Sequence, residues 1–286
     1  MRRALLASYL LGCFACTQSL PLHHLMTWPE YGRVEHGTPY ILEIRPEPGA
    51  LLLFGAWHMK GEPGHPQVEQ IQELWRKFQP TLAFNEGWDP PVVQNAREAV
   101  DRYGEPGLLR YLADRDGVPI YDMEPPEEER YRYLLQRFTV EEIRLHKIAQ
   151  NVSQNLRTLP DEEVDKQVLG QIRRHLDPQP LLDGPPGTIS ELDESFQRLM
   201  PNLGNWRRLE TTDLNPRPAT TFLGQISAYS GRLRDRHMLK VMIESVRRGE
   251  RVFAVVGATH VVMQEPVFRR AFPRHAVVQP AAPRIR

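Results

Sequence analysis

The chain holds 286 residues, with 36 Lys and Arg balanced by 36 Asp and Glu and a hydrophobic share of 41%. That length allows one large domain with a sizeable core, and the balanced charge supplies no basic face, so nucleic acid is not an expected partner. The 26 Pro stand singly or in pairs at element boundaries, where they punctuate a fold instead of forming a low-complexity tract.

Met1 to Ser19 starts with two arginines, continues as an apolar run from Ala4 to Gly12 and reaches cysteines. This is the layout of an export signal whose core is too short to span a bilayer. Residues 1–18 therefore read as a signal segment, and residues 19–286 as a single α/β domain. The stretch Leu10-Leu11-Gly12-Cys13 resembles the lipobox of bacterial lipoproteins, with Cys13 as the acylated residue and Cys16 as the alternative acceptor. The expectation is an exported protein held in a membrane by an N-terminal lipid, in the outer membrane facing the periplasm. Both cysteines lie in this segment, so the folded body has no disulfide or thiolate and any metal must be held by nitrogen and oxygen.

After a polar stretch to Pro39, Tyr40 to Arg45 alternates as a strand and Leu51 to Trp57 forms an apolar second strand, the two making a hairpin. Val68, Ile71, Leu74, Trp75 and Phe78 then recur at helical spacing. Thr81 to Gly87 is a short buried strand closing on Glu86. Pro90 to Gly104 and Gly107 to Gly117 are helical, and Val118 to Pro126 is a strand ending in Asp122 and Glu124. The region from about 127 to 205 is charged and mostly helical and reads as an inserted layer or lid, with Pro178 to Thr188 as an exposed loop. A long helix from Thr220 to Arg248 leads to the strand Arg251 to Gly257, a helical return and an edge strand at His275 to Pro280. The fold class is α/β: a central, mostly parallel sheet with flanking helices and two pseudo-repeated units of strand, Gly-x-x-His and helix.

Those units are Gly55-Ala56-Trp57-His58 and Gly257-Ala258-Thr259-His260. Ligands of parallel α/β sheets gather at the carboxyl ends of the strands, and His58, Glu86, Asp122, Glu124 and His260 all fall there. Gly55 and Gly257 suit a tight turn, through positive φ or close backbone approach. Two imidazoles and a carboxylate form a sufficient ligand set for zinc, manganese or cobalt with a position left for water. Asp122 and Glu124 are candidates to orient a histidine's second ring nitrogen, Glu124 serving equally to favour the helix that follows. His65 reads as the start of the helix beside Pro66, and His146, His175 and His237 as solvated helix faces.

In order and spacing, Leu51 to His58, Thr81 to Gly87, Leu233 to Met238 and Val252 to His260 resemble the TraB, GumN and Tiki superfamily, which also takes in erythromycin esterase-like and ChaN-like proteins. The resemblance covers about Leu51 to Gly87 and Gly231 to Gln264. It implies a site built from His58, Glu86, Arg234 and His260, with Gly55, Gly257 and Asp235 in the same motifs. Asp235 stands where the pattern has Asn, and Trp57 where it often has a small or β-branched residue. The implied activity is metal-dependent hydrolysis of a peptide or ester bond, on a peptide or small-molecule substrate, with His58, Glu86 and His260 as metal ligands and Glu86 and Arg234 in catalysis. ChaN-like members imply the alternative, a haem- or metal-binding lipoprotein without turnover. Nothing in the sequence fixes an oligomeric state.

Overall fold

Leu51, Leu52, Leu53 and Phe54 follow one another in the chain and are all buried, the requirement for a strand covered on both faces. The computed structural model describes residues 19–279 other than Trp88 and His275; the export segment, with Cys13 and Cys16, lies outside the described residues. The strands are β1 (Tyr40–Ile44), β2 (Ala50–Ala56), β3 (Leu82–Asn85), β4 (Ile120–Asp122), β5 (Arg251–Gly257) and β6 (Ala276–Gln279), in the spatial order β4-β3-β5-β2-β1-β6. The central pairings β2 with β5, β5 with β3 and β3 with β4 are parallel, while β1 lies antiparallel between β2 and β6. The expected α/β architecture is thus present, with the hairpin and the last edge strand where the alternation put them.

The helices are α1 (Trp28–Tyr31), α2 (Pro66–Phe78), α3 (Ala96–Asp116), α4 (Glu127–Leu134), α5 (Val140–Asn151), α6 (Asp161–Gln171), α7 (Ile189–Leu199), α8 (Phe222–Arg247) and α9 (Ala258–Ala271). Strand side chains alternate between two cores. Leu51, Leu53, Val252 and Ala254 pack with Met242 and Ile243 of α8 and Val261 and Val267 of α9. Leu52, Phe54 and Phe253 pack with Ile71 and Trp75 of α2 and Leu108 and Leu112 of α3. The middle region builds a third core of its own, in which Ile143, Ile148, Val164, Val168 and Phe196 join Leu223 and Ile226 at the start of α8. One end of α8 therefore packs on the inserted helices and the other on the sheet.

Two expectations change. The segment from Pro178 to Thr188 is not a free exposed loop: Leu182 is fully buried, and the buried Arg144 of α5 donates to Leu182 O at 2.9 Å and Pro186 O at 3.0 Å. A charged side chain thus satisfies carbonyls that a surface loop leaves to water. His146 is not on a solvated face either. It is buried, with Nε2 2.9 Å from Ser227 Oγ of α8, so the polar residues of α5 face inward at the seam between inserted helices and sheet.

Candidate active site

The two Gly-x-x-His exits share a sequence but not a local structure. After β5 the chain enters α9 at once, with Gly257 as N-cap and His260 in the first turn. After β2 it runs through a loop containing Gly61, Pro63 and Gly64, and α2 begins only at Pro66 behind the N-cap His65. The expected helix start near His58 is thus displaced, because glycine and proline in that loop oppose helix formation. His260 ends up with 15% of its side chain exposed and His58 with 77%.

The rings nonetheless converge. Ala56 of β2 stands opposite Gly257 of β5. A methyl group placed on Gly257 would lie 3.7 Å from Glu86 Oε2, 3.9 Å from His260 Cδ2 and 3.9 Å from His58 Nε2. Gly257, at φ −58°, needs no special backbone conformation; what it leaves is the space between two imidazoles and a carboxylate. Gly55 differs. A methyl there would meet Tyr40 O at 2.7 Å and Ala258 Cα at 2.8 Å, so its role is the close approach of α9 to the sheet.

Glu86 follows β3, and Gly87 at φ 97° turns the chain directly after it. Its Oε2 accepts the Gly257 N–H at 2.7 Å, and its Oε1 accepts from Arg234 Nη2 at 2.7 Å and faces His260 Nε2 at 3.3 Å. Arg234 does not make a surface ion pair within α8. Its Nε donates to both Glu124 oxygens, at 2.9 and 2.7 Å, so Glu124 anchors the arginine, a role the following helix obscured in the sequence. Nη1 of Arg234 is the guanidinium nitrogen that no described residue engages.

Consecutive positions on α8 lie about 100° apart, so Asp235 turns to a different neighbour. Its buried Oδ1 accepts from His260 Nδ1 at 2.7 Å and from Gln264 Nε2 at 2.7 Å, one turn further along α9. Where an amide is usual in the motif, Asp235 supplies the charge that orients a histidine. Asp122 does not take that role: its carboxylate accepts the backbone N–H of Glu124 at 2.9 Å and that of Gly87, fixing the turns that carry Glu86 and Glu124. The partner of His58 is Glu105, whose buried carboxylate lies 2.5 Å from His58 Nδ1 and accepts the Met59 N–H at 3.3 Å. Glu105 was not among the candidates. It reaches the site because α3 kinks at Gly104, with φ 67°, immediately before Glu105 and Pro106; a carboxylate set between glycine and proline inside a helical run is the signal that marks it.

Protonation follows from these contacts. Burial opposes charge on His260, yet Asp235 and Glu86 raise its pKa to about 10, so the ring is an imidazolium at neutral pH with both nitrogens donating. Burial opposes charge on Glu86 as well, and the His260 and Arg234 cations outweigh it and hold the carboxyl well below its usual range. Glu86 is therefore a weak base, and its work is to hold two cations in place. His58 is raised chiefly by its hydrogen bond to Glu105. A carboxylate only accepts, so Nδ1 donates and the neutral ring keeps its lone pair on the exposed Nε2.

The comparisons with protein-family models, curated proteins and solved structures find no match. The resemblance to the TraB, GumN and Tiki superfamily therefore stands on its motif residues. As folded, the donor set does not fit a divalent ion: both His260 nitrogens hold protons against carboxylates, and both Glu86 oxygens are engaged. Among the described residues no three His, Cys, Asp or Glu side chains are placed to hold one. An ion entering here competes with a proton and with the Arg234 guanidinium.

Proposed function

We propose that the protein is an exported, lipid-anchored hydrolase of a peptide or ester bond, of the TraB, GumN and Tiki type. The observation that carries this reading is His58: an exposed Nε2 beside the gap over Gly257, with Nδ1 held by a buried carboxylate. That arrangement suits a general base. In the proposed reaction, His58 Nε2 takes a proton from water as the oxygen attacks a substrate carbonyl, then returns it to the leaving group as the carbon–oxygen or carbon–nitrogen bond breaks. The unengaged Nη1 of Arg234 donates to the oxygen on which negative charge develops, and the His260 imidazolium supplies a fixed charge close by. No step is drawn through a metal.

The test is a panel of chromogenic esters and short peptide amides with the purified chain, measured with and without chelator. Hydrolysis that falls about 100-fold or more in His58→Asn, the usual size of a general-base contribution, supports the reading; no turnover on any substrate, or an unchanged His58→Asn variant, overturns it. The exposed His58 and the neighbouring Trp57, 60% exposed, favour one other reading, an open face for a flat haem ring. A Soret band that disappears in His58→Ala without hydrolysis would select the binding protein instead.

A further inference from the structure

A second concave feature lies on the other side of α8. Gln225, Ala228 and Arg232 fall at three- and four-residue spacing along one stripe of this helix and line a cavity of about 780 Å³. Arg232 and Arg234 are roughly 200° apart around the helix axis, so this cavity does not share the face that serves Glu86. Met26, Trp28, Tyr229 and Met263 give it apolar walls, and Pro29, Pro216 and Pro218 fix the backbone around it. The volume is that of a small-molecule site.

What sets the cavity apart is its charge. Arg137, Arg217 and Arg232 all line it. None of the three forms an ion pair with a described residue. The Arg137 guanidinium lies over the Tyr229 ring at 5.6 Å and that of Arg217 over the Tyr31 ring at 5.8 Å. Ring stacking holds those planes while their N–H edges stay available. Glu30, whose carboxylate caps α1 through Thr27, lies within electrostatic range of Arg232 without pairing to it. In a chain of zero formal charge, three arginines around one apolar hollow with no carboxylate among them are complementary to an anion carrying an apolar body.

We infer that this cavity binds a free single-chain amphiphile with an anionic head, a carboxylate or phosphate, the tail lying against Met26, Trp28 and Met263 and the head among the three guanidinium groups. The proposal is independent of the hydrolase reading. Titration of the purified full chain with decanoate, decyl phosphate, decanol and decyltrimethylammonium, each below its micelle concentration, tests it by calorimetry and tryptophan fluorescence. Decanoate and decyl phosphate are expected to bind with one-to-one stoichiometry, decanol at least 10-fold more weakly and the ammonium not at all. The double variant Arg217→Gln, Arg232→Gln should weaken decanoate at least 10-fold and leave decanol unchanged, while His58→Asn changes neither. Equal affinity for decanol, an unaffected double variant, binding lost in His58→Asn, or binding only to phosphatidylglycerol vesicles would each overturn it.

Discussion

Gly55 and Gly257 occupy the same position in two copies of one motif, and the structure assigns them opposite purposes. Gly257→Ala places its methyl at ordinary van der Waals distance from Glu86, His260 and His58. The expected outcome is a thermal midpoint within a degree or two of the parent and loss of hydrolysis, because the methyl fills the reaction space. Gly55→Ala drives its methyl against backbone of β1 and α9 at 2.7 and 2.8 Å and should cost about 1–3 kcal/mol by overpacking, read by denaturant midpoint. The His58 general base makes a pH prediction. Its pKa is raised, so the rising limb of kcat/KM should lie above about 6.5, the ordinary imidazole value. Glu105→Gln removes the main cause of that shift and should move the limb to lower pH while reducing the rate. A limb that stays in place would separate Glu105 from the base. His58, Glu86, Arg234 and His260 were legible in the sequence because a parallel sheet collects the residues at its strand ends. Glu105 was not, since it arrives through a kink in α3 and belongs to no strand.

At the scale of elements, the sheet order followed from apolar runs and the placing of helices from glycines and prolines between them. Less was readable where a polar side chain replaces solvent. Arg144 holds Leu182 O, Pro186 O and Asp177 from within α5, joining the Pro178 to Thr188 segment to the inserted core. An arginine in a helical pattern gives no hint of facing inward, which is why that segment read as a loose loop. Arg144→Met leaves two buried carbonyls without donors and should destabilise the protein by about 2–4 kcal/mol, with faster proteolysis between Asp177 and Thr188 as the local sign. Both Gly-x-x-His units likewise predicted a helix at the histidine; only the second has it, because Gly61, Pro63 and Gly64 keep the first in a loop. That loop leaves His58 open to solvent, and the helix makes His260 a buried cation.

Across the whole molecule, buried histidines set the pH range of stability. Burial lowers the His146 pKa to about 3, so the fold keeps it neutral; the unfolded chain takes up a proton below about 6.5, and this contribution is lost as pH falls from there towards 3. His260, raised to about 10, contributes fully below about 6.5 and loses its contribution as pH rises through 10. The carboxyl of Glu86, held low, adds stability above about 4.3 that disappears in acid. Thermal midpoints should therefore peak near pH 6.5, His146→Gln flattening the acid side and His260→Gln the alkaline side. The central claim is that two histidines some two hundred positions apart share the field of one carboxylate. It is tested most directly by following both imidazole rings in a pH titration by NMR, in the parent protein and in Glu86→Gln. The parent should show His260 titrating near 10 and His58 above its ordinary value, and the substitution should lower both. A variant in which either ring titrates as before would contradict the account.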